Sequence, residues 1–258
     1  MNILRLWLVL FFVFLLAPIL IVVAVSFSSA SYVSFPIANF SLRWFRKIYE
    51  YEPFLNALWV TLQVAVISAS IACVVSVPAA LTLARSNSKL AGILMVFLLS
   101  PISMPMVVLG FVMLFYLSAM GAGVSMLSLV ISHTVVSIPY IVRTVVATYR
   151  GIPASLEETA LVLGASRWQV FRHVTFPLVK PGIFAGGLLA MLLSIDNLPL
   201  SYFFGSPSTS TLPVVMLSYL ENQFDPAIAA ISTVQMLLAI FALIVVDRVH
   251  GLGNVKSL

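Results

Sequence analysis

The sequence predicts an all-α membrane protein with six transmembrane helices, and three observations predict it. Of 258 residues, 62% are hydrophobic and only 8% charged, too little polar surface to cover a water-soluble body of this size. The apolar residues gather into charge-poor runs of about 20 or more, the length that crosses the hydrocarbon core as a helix. Lys and Arg concentrate in alternate connecting segments, as short cytoplasmic loops require. The apolar excess runs the whole length, so residues 1–258 read as a single membrane domain with no soluble appendage.

The first span covers about residues 6–28. Arg5, the charge-free stretch 6–25 and the small residues at 26–31 imitate a secretory signal. The apolar part exceeds the roughly 7 to 15 residues of a signal core, so this helix is expected to be retained. Segment 39–54 sets Leu42, Phe45, Ile48 and Tyr49 at helical spacing with charges between them. It is expected to lie along the membrane surface, with Trp44 and the tyrosines at headgroup depth. The second span, about 56–84, carries Pro78 near its end, where a kink is expected. Residues 90–142 contain no Lys, Arg, Asp or Glu up to Val142 and are too long for one crossing. Gly121 and Gly123 divide them into spans of about 91–119 and 124–148. The fifth span is expected at about 182–204, with Asp196 deep inside it, and the sixth at about 228–247.

Basic loops orient the chain. With the N-terminus inside, Arg5, Arg85, Lys89, Arg143, Arg150, Arg167, Arg172, Lys180, Arg248 and Lys256 are cytoplasmic, and so are both termini. The outer side keeps Arg43, Arg46 and Lys47 together with Glu50, Glu52, Glu221 and Asp225. The formal charge of +5 follows from this bias and does not point to nucleic acid. Cys73 is the single cysteine, so the chain makes no internal disulfide, and with three scattered His it does not suggest a zinc site.

Segment 150–180, the longest cytoplasmic loop, carries explicit helix punctuation. Ser155 followed by Glu158 fits a capping box, Leu156, Ala160 and Leu163 form an apolar stripe, and Gly164 suits the left-handed residue that ends a helix. Ser166 with Gln169 repeats the capping pattern, Val170, Phe171 and Val174 form a second stripe, and Pro177 is expected to stop it. Two stiff, amphipathic helices joined at a glycine can enter a groove on a soluble partner. They can equally pack against the inner ends of the spans, and periodicity does not separate the two readings.

The segment resembles the EAA loop of ABC importer permeases. Glu158, Thr159 and Ala160 occupy its first three places, Gly164 its glycine, and Val174, Phe176 and Pro177 its closing three. Thr159, Val174 and Phe176 stand where Ala, Ile and Leu are usual. Residues 100–110, 133–145 and 193–204 resemble most the branch of that family handling polyamines, opines and related solutes. The resemblance implies the type I importer permease fold in a bacterial inner membrane. It also implies a second permease, a paralogue, two ATPase subunits inside that bind ATP and Mg, and a periplasmic solute-binding protein. In that family the loop docks on the ATPases, so Glu158, Thr159, Ala160, Gly164, Ala165 and Pro177 are the expected coupling positions. The chain contains no G-x-x-x-x-G-K-[ST] phosphate loop. It is therefore expected to hold no cofactor or metal, to catalyse nothing itself, and to touch otherwise only membrane lipid.

An ionised carboxylate in a span costs about 2.5 to 3.5 kcal/mol at mid-membrane. With Asn197 and Pro199 beside it, Asp196 is expected to mark a helix break whose freed backbone groups face protein or water. Asp196, Asn197, Tyr202 and His133 are the candidate residues of a solute path, the carboxylate attracting a cationic group. The competing reading makes Asp196 a structural acid, and His133 and Gln63 packing residues. Met104, Met106 and Met113 read as packing rather than a metal path. Glu157 and Glu158 are adjacent and point different ways, so they form no catalytic pair. The expected function is ATP-driven import of a small polar solute, a polyamine such as spermidine or putrescine or an opine-like amino-acid derivative. The alternatives are an ion-coupled secondary transporter, against which no matched pair of interrupted spans appears, and a membrane scaffold recruiting a soluble partner.

Overall fold

The computed structural model describes residues 3–250, so Lys256 lies outside the described residues. Twelve α-helices follow in order: α1 (Ile3–Ser26), α2 (Arg43–Glu50), α3 (Glu52–Ala84), α4 (Lys89–Leu99), α5 (Met106–Ala119), α6 (Met126–Arg150), α7 (Ser155–Val162), α8 (Arg167–Val170), α9 (Phe176–Ile195), α10 (Leu198–Ser201), α11 (Leu212–Asn222) and α12 (Ala227–His250). Apart from an isolated bridge between Ser28 and Phe40, the regular structure of the described residues is helical. Helices α1, α3, α6, the joined stretch Arg167–Ile195 and Ala227–Arg248 are each long and apolar enough to cross a membrane.

The third expected span, 91–119, is not one straight helix. Lys89–Ser103 and Met106–Ala119 meet at 108°. Pro105 is the cause. It offers no N–H and forces Met104 out of the helical region to φ −92°, ψ 139°, so α4 ends in a 3₁₀ turn over Ser100–Ser103 and α5 restarts in another direction. The fifth span is shifted toward the N-terminus, ending at Ile195 instead of 204. Pro177 does not stop it. The π-helical turn Phe171–Thr175 carries α8 into α9, and the Phe176 N–H reaches back five residues to the Phe171 carbonyl, a widened turn that accommodates the proline ring. Between α5 and α6 the chain turns where two glycines stand, Gly121 at φ 84° and Gly123 at φ 53°.

The chain divides into two compact units, Met1–Leu58 with Val215–Phe241, and Trp59–Val214 with Ala242–Leu258. In the first, α1 exposes almost its whole surface, and burial begins at Val25 and Ser26. The buried face of α2 is Trp44 with Ile48, while Leu42 and Tyr49 point outward, Tyr49 at 79% exposure. Trp44, expected at headgroup depth, is 4% exposed. A charge pair fixes this rotation: Lys47 Nζ lies 2.6 Å from Asp225 Oδ2, which also accepts from the Tyr219 hydroxyl at 2.8 Å. Asp225 Oδ1 accepts from the Ala227 N–H at 3.0 Å and so caps α12. Burial alone would lower the Lys47 pKa, yet the bonds and charges of Asp225 and Tyr219 outweigh it and hold it above its ordinary value. The Lys47 contribution to this pair is therefore whole at neutral pH and is lost as pH climbs through that raised value.

The core of the second unit lies where α3, α6 and α9 meet. Ala69, Ala72, Ala80 and Ala84 of α3 pack on Ile141, Val142, Val145 and Tyr149 of α6 and Val179 and Ala190 of α9. Small residues let the helices approach closely, which is how helices associate where lipid removes the hydrophobic drive. A Cβ on Gly186 would stand 2.2 Å from Thr144 Oγ1 and 3.0 Å from Ile141 Cα, and one on Gly182 2.2 Å from Thr148 Oγ1. Those hydroxyls satisfy themselves on their own helix, Thr144 Oγ1 to the Tyr140 carbonyl at 3.0 Å and Thr148 Oγ1 to the Thr144 carbonyl at 2.9 Å. Replacing Gly186 with Leu is expected to abolish recovery of monodisperse protein in detergent, judged by size-exclusion chromatography. The same change at Gly92, which faces open space, should leave recovery intact.

Candidate functional site

Two features concentrate chemistry, both within the second unit: the polar loop 150–180 and the break at Asp196. In the loop, α7 starts one residue earlier than its punctuation suggests. Ala154 already has helical dihedrals and stands at the N-cap without a side-chain bond, which leaves Ser155 inside the first turn. The capping box expected between Ser155 and Glu158 therefore does not form; Glu157 and Glu158 favour the positive end of α7 by charge instead. The other end follows the glycine signal. Gly164 sits at φ +90°, its N–H bonds the Leu161 carbonyl at 3.0 Å, and the Ala165 N–H bonds the Ala160 carbonyl at 3.1 Å, a Schellman closure. The second capping box is complete: the Ser166 N–H donates to Gln169 Oε1 at 2.7 Å and the Gln169 N–H to Ser166 Oγ at 3.3 Å.

Of the expected coupling residues, Glu158, Thr159, Gly164 and Pro177 are exposed, while Ala160 and Ala165 are half-buried. Val162, Leu163 and Trp168 are exposed beside them, an apolar surface on an otherwise polar loop. Ala160, Leu163, Gly164, Ala165, Val170 and Val174 face a groove of about 460 Å³ between α7 and the α8–α9 stretch.

Glu157, which local spacing does not single out, is the most connected acid of the loop. It pairs with Arg85 and accepts from the Tyr149 hydroxyl at 3.1 Å and from Thr175 Oγ1. The Arg85 guanidinium lies 4.1 Å from the Tyr149 ring centroid, and its other arm donates to the Ile152 carbonyl at 3.1 Å. Punctuation within the loop gives no sign of this; the available signal is Arg85, a cation immediately after the second span.

At the break, α9 closes on Asp196, and Asn197 opens α10 by accepting the Leu200 N–H on Oδ1 at 3.2 Å. His133 of α6, 1% exposed, spans the interruption, with Nδ1 2.7 Å from Ser194 Oγ and Nε2 3.0 Å from Ser201 Oγ. Both ring nitrogens are engaged, one donating and one accepting, so His133 and Asn197 hold the broken span together. Asp196 and Tyr202 differ: both are exposed, Tyr202 at 60%, and the Asp196 carboxylate makes no bond among the described residues. Gln63 is half-buried, Met106 and Met113 pack around Leu109, Val136 and Leu200, and Met104 is exposed at the α4–α5 bend.

Residues 72–252 match the family described as binding-protein-dependent transport system inner membrane component. The chain is 30% identical over 229 residues to the putrescine transport system permease protein PotI of Escherichia coli (strain K12), covering 86% of this chain and 81% of that protein. It is 28% identical over 255 residues to the spermidine/putrescine transport system permease protein PotC of the same organism, 95% of each. Among solved structures, a bacterial ABC transporter involved in the import of the acidic polysaccharide alginate matches with a TM-score of 0.70 at 17% identity, over 95% of this chain and 94% of that chain. At that identity the likeness speaks for the fold, that of type I ABC importer permeases.

Replacing His133 with Ala leaves two buried serine hydroxyls without their partner, at about 1–3 kcal/mol for each unsatisfied group. A clear drop in the thermal unfolding midpoint of the detergent-solubilised protein is expected. An unchanged midpoint would show that Ser194 and Ser201 turn back onto their own helices.

Proposed function

The chain belongs to the family of binding-protein-dependent transport system inner membrane components and is a permease subunit of an ABC importer, and from that premise we propose that it imports a polyamine. The observation that carries this reading is the exposed, unbonded carboxylate of Asp196 at the break in the fifth span. An unpaired charge at membrane depth is tolerated where it faces water or a ligand, and a protonated amine is the complement that offsets its desolvation. The relatives whose names specify putrescine and spermidine support the choice of a di- or polyamine over an opine-like amino-acid derivative. Tyr202, directly after α10 and exposed, offers the aromatic face that a cation also favours.

In this reading the partners are two ATPase subunits carrying ATP and Mg, a second, paralogous permease and a periplasmic solute-binding protein, with both termini of the chain cytoplasmic. Loop 150–180 is the part that meets the ATPases. Glu158, Thr159 and the exposed Val162, Leu163 and Trp168 form the surface presented, and Gly164 sets the angle between its two helices. Closure of the ATPase pair displaces α7 and α8. Because α6 leads directly into the loop and α9 directly out of it, the spans rock with it around a path at the break.

Two outcomes test this. Exchanging Asp196 for Asn should raise the KM for putrescine uptake by roughly 10- to 100-fold, the worth of one charge-assisted contact, at an unchanged amount of assembled transporter; unaltered uptake kinetics would move Asp196 to a structural role. Exchanging Gly164 for Val forces a branched side chain into the left-handed region. ATP hydrolysis is then expected to continue without uptake, whereas normal uptake at matched expression would remove the loop from the coupling path.

A further inference from the structure

Three spanning helices converge on one carboxylate. Arg85 follows directly on α3, Tyr149 stands in the last turn of α6, and Thr175 closes the π-helical turn that leads into α9; all three donate to Glu157 of α7. A second tie reinforces the first, since Arg150 Nε donates to the Ala84 carbonyl at 3.0 Å, binding the ends of α3 and α6 directly. The Glu157 side chain is 16% exposed and that of Arg85 28%, so water and salt screen this pair less than a surface ion pair.

We propose that Glu157 is the positioning residue through which displacement of the α7–α8 loop reaches α3 and α6 together. This rests on the reading of 150–180 as the ATPase-coupling loop and deepens it. The covalent route alone does not suffice. Helix α7 is joined to α6 through 151–154, where Gly151 and Pro153 interrupt the helix, so a push on α7 can be absorbed by swinging about that link. Helix α3 has no short covalent connection to the loop, Arg85 and Glu157 being 72 residues apart. Fastened through Glu157, the two helix ends and the start of α9 move as one piece. Without it, α3 stays tied to α6 through Arg150 and Ala84, but α7 loses its grip on both helix ends and can swing about the 151–154 link. The two adjacent acids thereby divide the work, Glu157 turned inward onto the helix ends and Glu158 outward.

The test uses the complete importer in proteoliposomes, with ATP hydrolysed per putrescine imported as the readout, since a defect in folding or assembly lowers both quantities without changing their ratio. Glu157→Ala is expected to raise the ratio by about fivefold or more, the lower end of measured couplings between sites. Glu157→Gln, which keeps the shape and loses the charge, should raise it less. Arg85→Glu should raise it too, and combining Arg85→Glu with Glu157→Arg should return it part of the way to wild type. A wild-type ratio in assembled Glu157→Ala, or a combined variant no better than the single reversals, overturns the proposal. Cross-linking the ATPase to a Trp168→Cys permease with Glu157 intact reports docking separately. Absence of that cross-link ends the docking reading and the joint with it; a cross-link alongside unaltered ratios in the Glu157 variants ends the joint alone.

Discussion

Where α9 crosses α6, the backbones come so close that a methyl group on Gly182 or Gly186 would collide with the threonine side chains opposite. That approach is the constraint on which the second unit depends. In lipid there is no hydrophobic gain from bringing two apolar helices together, so contact must come from fit, and glycine and alanine supply it. The alanines of α3 line the same junction. Threonines at 144 and 148 tolerate the crowding because their hydroxyls bond back to carbonyls one turn earlier and demand nothing from the neighbouring helix.

Polar groups in the apolar interior obey the same requirement of internal satisfaction. Where α9 stops at Asp196, the Leu200 N–H is taken up by Asn197 Oδ1, and His133 reaches from α6 to the hydroxyl of a serine on each side of the gap. This leaves the interruption held open in a defined geometry. The residues expected to share one role thus separate into two that build the break and two, Asp196 and Tyr202, that it presents outward. Proline acts similarly at other points: Pro105 turns a span through a large angle, and the π-helical turn before Pro177 allows a helix to continue through it.

Charge is used sparingly and where it decides orientation. In the first unit, the Lys47–Asp225 pair sets which face of α2 is buried and caps the start of α12. In the second, the Arg85–Glu157 pair gathers helix ends beside the polar loop. Each pair joins residues far apart in sequence and each carries a tyrosine, Tyr219 or Tyr149, on the same carboxylate. In a chain with so few formal charges, these partly shielded pairs hold what the apolar contacts leave free to slide or rotate.

The sequence by itself determined what depends on local composition and short spacing: the all-α class, the long apolar helices, the turn at Gly121 and Gly123, the left-handed closure at Gly164, the capping box at Ser166 and the interruption at Asp196. Each is governed by a residue's own backbone preference or by a partner within a few positions. Only the tertiary structure decided which face of α2 is buried, that Ser155 is not a cap, that α9 runs through Pro177 and that Glu157 rather than its neighbour meets Arg85. The first and last of these rest on partners 178 and 72 positions away, and the other two on local backbone geometry, helical dihedrals at Ala154 and a π-helical turn before Pro177, that residue spacing does not signal. Periodicity names the faces a helix can bury, but the partner that arrives from elsewhere in the chain selects among them.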